Sequence, residues 1–143
     1  SDWQYQGQMF GTIIVRLSSG VPENISDDVR LDLKRFEQAV RHALHERRLY
    51  DRHSGYSVVV ELTEVRIPSR ARPAQVGVEW VTGSVTLAEP NGKLLHRFDV
   101  SASDAPASVG NETPWRWLHA EFANSMVYQI LKGSEPRYSV AAL

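Results

Sequence analysis

The sequence predicts an α+β fold: a two-layer sandwich with two helices on one face of an antiparallel sheet of four strands. The element order is β-α-β-β-β-α, and the tail over 134–143 is able to add a fifth strand. Three observations carry this. Two segments place apolar residues at steps of three and four, the helical period. Tyr56, Val58, Val60 and Leu62 alternate with Ser57, Val59, Glu61 and Thr63, the period of a half-buried strand. Glu89-Pro90-Asn91-Gly92 then supplies turn chemistry between two further apolar runs.

The first strand is Phe10 to Leu17, rich in β-branched residues and closed by Ser18-Ser19-Gly20 and Val21-Pro22. Ser26 is an N-cap candidate, and Asp27 and Asp28 suit the positive end of the helix that follows. Val29, Leu33, Phe36, Val40, Ala43 and Leu44 form its stripe, and Arg47 and Arg48 sit at its negative end. The second strand runs from Tyr56 to Arg66 or Ile67, followed by a proline-bounded loop with Arg70 and Arg72. Val76 to Ala88 is the third strand, with Gly83 marking a bulge or bend, and Leu94 to Ala102 the fourth. Thr113-Pro114 opens the second helix, whose stripe is Trp115, Leu118, Phe122, Met126 and Ile130, widened by Val127 and Leu131 and stopped by Gly133. Residues 1–9 read as a flexible N-terminal segment, 10–133 as a single α+β domain and 134–143 as a tail or edge strand. The predicted core is Ile14, Leu33, Phe36, Val40, Leu44, Val58, Val60, Leu62, Phe98, Leu118, Phe122 and Ile130.

Composition bounds the function. The chain has 143 residues, enough for one domain with a real core, and 42% of them are hydrophobic against 23% charged. Sixteen Lys and Arg against seventeen Asp and Glu leave a formal charge of −1, which gathers no nucleic acid by its overall field. There is no cysteine, hence no disulfide, thiolate metal site or cysteine nucleophile in this sequence. No run approaches the roughly 20 apolar residues of a membrane-spanning helix. Ser1 to Gln8 lacks a basic and an apolar region, so either there was no signal peptide or the numbering starts after its removal.

Catalytic chemistry finds little footing. His42 and His45, three apart with Glu46 adjacent, match a two-ligand helix spacing, but Arg41, Arg47 and Arg48 would repel a cation there and no second cluster completes the set. Gly83-Ser84 lies inside a strand and makes no nucleophile elbow. Asp99 with Asp104, or Asp27 with Asp28, are carboxylate pairs of a kind that any chain with seventeen acids offers. No catalytic residue, metal ligand or cofactor site is assigned. The partner-binding candidates are Arg66, Arg70 and Arg72, three guanidinium groups within seven residues on and after a strand end, and Trp117, which falls off its helix's apolar stripe.

The early strand Thr12-Ile13-Ile14-Val15, the helix with Leu33-x-x-Phe36 and Ala43-Leu44, and the strand Val58 to Arg66 carry a resemblance. So do the Arg loop, the Gly83 strand, the Asn91-Gly92-Lys93 turn and the closing helix with Phe122-Ala123. Over roughly residues 10 to 133 the chain resembles the small uncharacterised envelope lipoproteins of bacteria, of domain-of-unknown-function type. The resemblance implies export to the periplasm, a lipid anchor N-terminal to the chain at the outer membrane, and a non-enzymatic role in binding or assembly. The expected partner is an envelope protein or an anionic envelope component, with no nucleic acid and no cofactor. The alternatives are a small hydrolase or metal-dependent enzyme, and a cytoplasmic protein-interaction domain.

Overall fold

The computed structural model describes residues 3–21, 33–66, 79–104 and 114–132. The elements are β1 (Thr12–Leu17), α1 (Leu33–Glu46), β2 (Ser57–Arg66), β3 (Glu79–Ala88), β4 (Leu94–Asp104) and α2 (Pro114–Lys132), in the order expected. One four-stranded sheet runs β1-β2-β3-β4. The Ser26 cap, residues 76–78 of the third strand and the fifth-strand tail lie outside the described residues.

The sheet is mixed, which corrects the fully antiparallel expectation. β1 pairs parallel to β2, from Thr12 opposite Ser57 to Leu17 opposite Leu62, whereas β2–β3 and β3–β4 are antiparallel. The cause is α1. A helix between two neighbouring strands carries the chain back along the sheet, so the next strand runs in the direction of the first. The Glu89-Pro90-Asn91-Gly92 turn forms as expected, with Gly92 N–H donating to the Glu89 carbonyl at 2.8 Å and Gly92 at φ 87°.

Pairing fixes which residues share a face. Ile13, Val58, Val60, Leu62, Val81, Val85, Leu87, Val100 and Ala102 are buried toward the helices. Ile14, placed in the core on sequence grounds, is 43% exposed, because β1 turns Ile13 rather than Ile14 toward α1. Leu33 and Phe98, also predicted core, are only half-buried at its margin. Phe36, Val40 and Leu44 of α1 and Leu118, Phe122, Met126 and Ile130 of α2 complete the interior. His119 was not foreseen there: it is buried, its ring edge-on to Phe36 at 4.2 Å between centroids.

Gly83 seats α2. A Cβ at Gly83 would stand 2.9 Å from Phe122 Cζ and 3.2 Å from Leu62 Cδ2, so the absent side chain is what lets the helix settle on the sheet. The bulge expected at Gly83 falls on its neighbour instead, where Thr63 of β2 is the extra residue between Leu62 and Glu64.

The two helices run the same way: Leu49 after α1 is bonded to Phe10 before β1, Trp3 joins Ile130 near the end of α2 to His96 near the start of β4, and β1 and β4 start at the same end of the sheet. Phe36 and Phe122 touch edge-to-face at 5.7 Å between them. Both C-termini therefore reach one end of the sheet, called the base here. Phe10 N–H donates to the Leu49 carbonyl just after α1, at 2.8 Å. At α2's last turn, Trp3 Nε1 donates to the Ile130 carbonyl at 3.0 Å while its ring stacks on His96 of β4 at 4.9 Å. The far end holds the close of β2, the start of β3, the close of β4 and the helix N-termini.

Candidate functional site

Arg66 is the last residue of β2 and pairs in register with Trp80 of β3, at the far end. Trp117 stands in the opening turn of α2. Arg70 and Arg72 lie outside the described residues, in the connection from Arg66 to Glu79. The structure thus puts Arg66 and the start of α2 at one end of the sheet, and it adds a residue the sequence reading missed. Trp80 is 38% exposed, with its Nε1 donating to Thr82 Oγ1 at 2.8 Å. The signal was present in parity: Trp80 shares its alternation with Thr82, Ser84 and Thr86, which form the polar face of β3.

That face is the side of the sheet away from the helices. It is lined by hydroxyl groups joined across strands: Thr82 Oγ1 to Ser101 Oγ at 3.0 Å, Thr63 Oγ1 donating to the Thr82 carbonyl at 3.2 Å, and Arg97 Nε donating to Ser84 Oγ at 2.9 Å. Arg16 Nε meets Glu61 Oε2 at 3.2 Å on the same face, across the parallel pair. Such cross-strand pairs hold a solvated face flat and specific, each contributing a few tenths of a kcal/mol to about 1 kcal/mol.

The base has different chemistry. α1 ends in a Schellman arrangement, with Leu49 N–H donating to the Leu44 carbonyl at 2.7 Å and Arg48 N–H to the His45 carbonyl at 3.0 Å. The left-handed position, usually glycine, is taken by Arg48 at φ 61°. Arg47, Arg48 and Arg52 are exposed here, as are Lys93 in the hairpin turn and Lys132 at the end of α2. Burial at the base lowers the His96 pKa from its ordinary value, and burial raises that of Tyr5, whose hydroxyl donates to the Gln8 carbonyl at 2.6 Å.

The metal pairing considered for His42 and His45 is not what forms: His42 Nε2 meets Glu46 Oε1 at 3.2 Å on an exposed helix face. Among the described residues no group of three His, Cys, Asp or Glu is placed to hold a metal ion. Asp99 and Asp104 sit five positions apart along β4, about 17 Å, too far to share a proton. No helix among the described residues is long and apolar enough to cross a membrane.

The fold defined by these elements is an α+β two-layer sandwich, two helices on one face of a mixed four-stranded sheet. No family model matches the chain, and no curated protein matches it in sequence. Solved structures do match. The PelC dodecamer from Paraburkholderia phytofirmans superposes with a TM-score of 0.58 at 11% identity, over 93% of this chain and 96% of PelC. Protein XCC0632 from Xanthomonas campestris, of the DUF330 family, gives 0.58 at 8% identity over 95% and 91%. An uncharacterised protein gives 0.54 at 10% identity over 92% and 97%. At these identities the likeness is one of fold.

Proposed function

We propose that the protein is a non-enzymatic module of the bacterial envelope, located in the periplasm and held at the outer membrane by a lipid N-terminal to the chain. Its task is to bind or assemble an envelope partner through the far end, with Arg66, Arg70, Arg72 and Trp117 as contacts and Trp80 beside them. The observation that carries this is the far end itself: an exposed Trp80 in register with a strand-ending Arg66, on a sheet whose helix-free face carries no other large aromatic among the described residues. The fold shared with PelC and the DUF330 protein supports it, as does the resemblance to small envelope lipoproteins.

Crosslinking in intact envelopes followed by pull-down tests the reading. The wild-type chain should capture one anionic partner, with capture falling as salt rises, because exposed charges are screened beyond about 8 Å at physiological ionic strength. A variant with Arg66→Ala, Arg70→Ala and Arg72→Ala should keep its fold and lose the partner. Recovery of the native protein in the cytosolic fraction, or unchanged capture by the triple variant, would overturn it. PelC forms dodecamers, which favours a second reading in which copies of this chain are one another's partners. Mass by light scattering separates the two: a monomer retires the second reading.

A further inference from the structure

The geometry points to the base as a second interaction surface, one that lies on the anionic phospholipid surface of the membrane. This inference rests on the envelope reading above, but concerns the opposite end of the molecule.

Five exposed cations converge at the base from three separate parts of the chain: Arg47, Arg48 and Arg52 after α1, Lys93 in the β3–β4 turn, and Lys132 closing α2. None of them makes a salt bridge among the described residues. Among the described residues the carboxylates at the same end are Glu46, Asp51 and Glu89. Glu46 is engaged by His42 at 3.2 Å, Asp51 Oδ1 accepts the His53 N–H at 2.9 Å, and Glu89 is half-buried in the turn. The same end carries two exposed apolar side chains, Met9 at 36% and Leu94 at 56%. Cations sharing a surface with exposed apolar groups are what a headgroup layer recognises: phosphates for the former, the acyl boundary for the latter.

A blander account exists for part of this. Cations at helix C-termini offset the dipole, which explains Arg47, Arg48 and Lys132. It does not explain Arg52 or Lys93, which belong to no helix. Nor does it explain why a side chain occupies the left-handed position at Arg48, where glycine would relieve the backbone. The N-terminal segment ends at this same end, with Trp3 fixed between Ile130 and His96. A body resting on its base would therefore present the far end to the periplasm, about 30 Å along the sheet from the bilayer.

The test is co-sedimentation of the full chain with vesicles of phosphatidylethanolamine and phosphatidylglycerol, against vesicles of phosphatidylcholine alone. Binding should require phosphatidylglycerol, decline with salt, and weaken about fivefold for each charge removed in Arg47→Gln, Arg52→Gln and Lys93→Gln. Arg48→Gly supplies readouts that move in opposite directions: it should raise the denaturation midpoint while lowering vesicle affinity. Equal binding to both vesicle types, or no binding to either, overturns the inference. So does a loss produced by the Arg66, Arg70 and Arg72 substitutions instead, or capture of an acidic polypeptide by the base with no vesicle binding. Because the vesicle assay contains no protein partner, it fails or succeeds independently of the pull-down.

Discussion

Gly83 shows how one missing side chain positions a helix. The sequence marks it as an interruption in a strand, and the bend expected there is a contact instead: Phe122 of α2 stands within 2.9 Å of where a Cβ would be, and the neighbouring strand takes the bulge. Gly83→Ala should destabilise by about 1–3 kcal/mol, since both groups it meets are packed in the core and have little room to retreat. A denaturation midpoint equal to that of the parent protein would show that α2 rides more loosely than the contact implies. The residue-level misreading was Ile14. In Ile13-Ile14-Val15 both parities are apolar, so the run itself cannot say which side faces inward. The polar flanks could have: Thr12 and Arg16 share the parity of Ile14 and face away from the helices with it.

At the scale of elements, both helices were legible because their stripes repeat over several turns, and their buried faces agree with those stripes from Phe36 to Leu44 and from Leu118 to Ile130. Leu44→Ala should cost about 2–5 kcal/mol and Phe122→Ala about 3–5 kcal/mol, each leaving a cavity between helix and sheet. Chemical denaturation with the slope held constant checks both values. The direction of β1 was legible in principle too, from the helix between it and β2, but alternation within a strand says nothing about the strand's partner. His119 escaped notice because a single histidine beside a stripe of Leu and Phe looks like the polar edge of that stripe. Its ring meets Phe36 edge-on, a contact that only the approach of the other helix creates.

For the whole molecule, the two ends differ in how they could be found. Arg66, Arg70 and Arg72 are neighbours in sequence and visible at once, whereas the cations of the base are spread from Arg47 to Lys132 and become neighbours only through two helices running in parallel. The parallel pairing of β1 with β2 also has a consequence in time. Thr12 must wait for Ser57, forty-five residues on, with α1 already formed between them, whereas β3 and β4 are joined by a tight turn. Closing a long loop costs more chain entropy than closing a short one, so the hairpin zips early and β1 arrives last. Among the described residues β1, like β4, has a partner on one side only, while β2 and β3 have two. In native-state hydrogen exchange, the amides of β2 and β3 should open only with global unfolding and those of β1 at a lower free energy; uniform protection across all four strands would contradict this order. The first strand of the chain is then the last piece of the sheet to be made and the first to be lost.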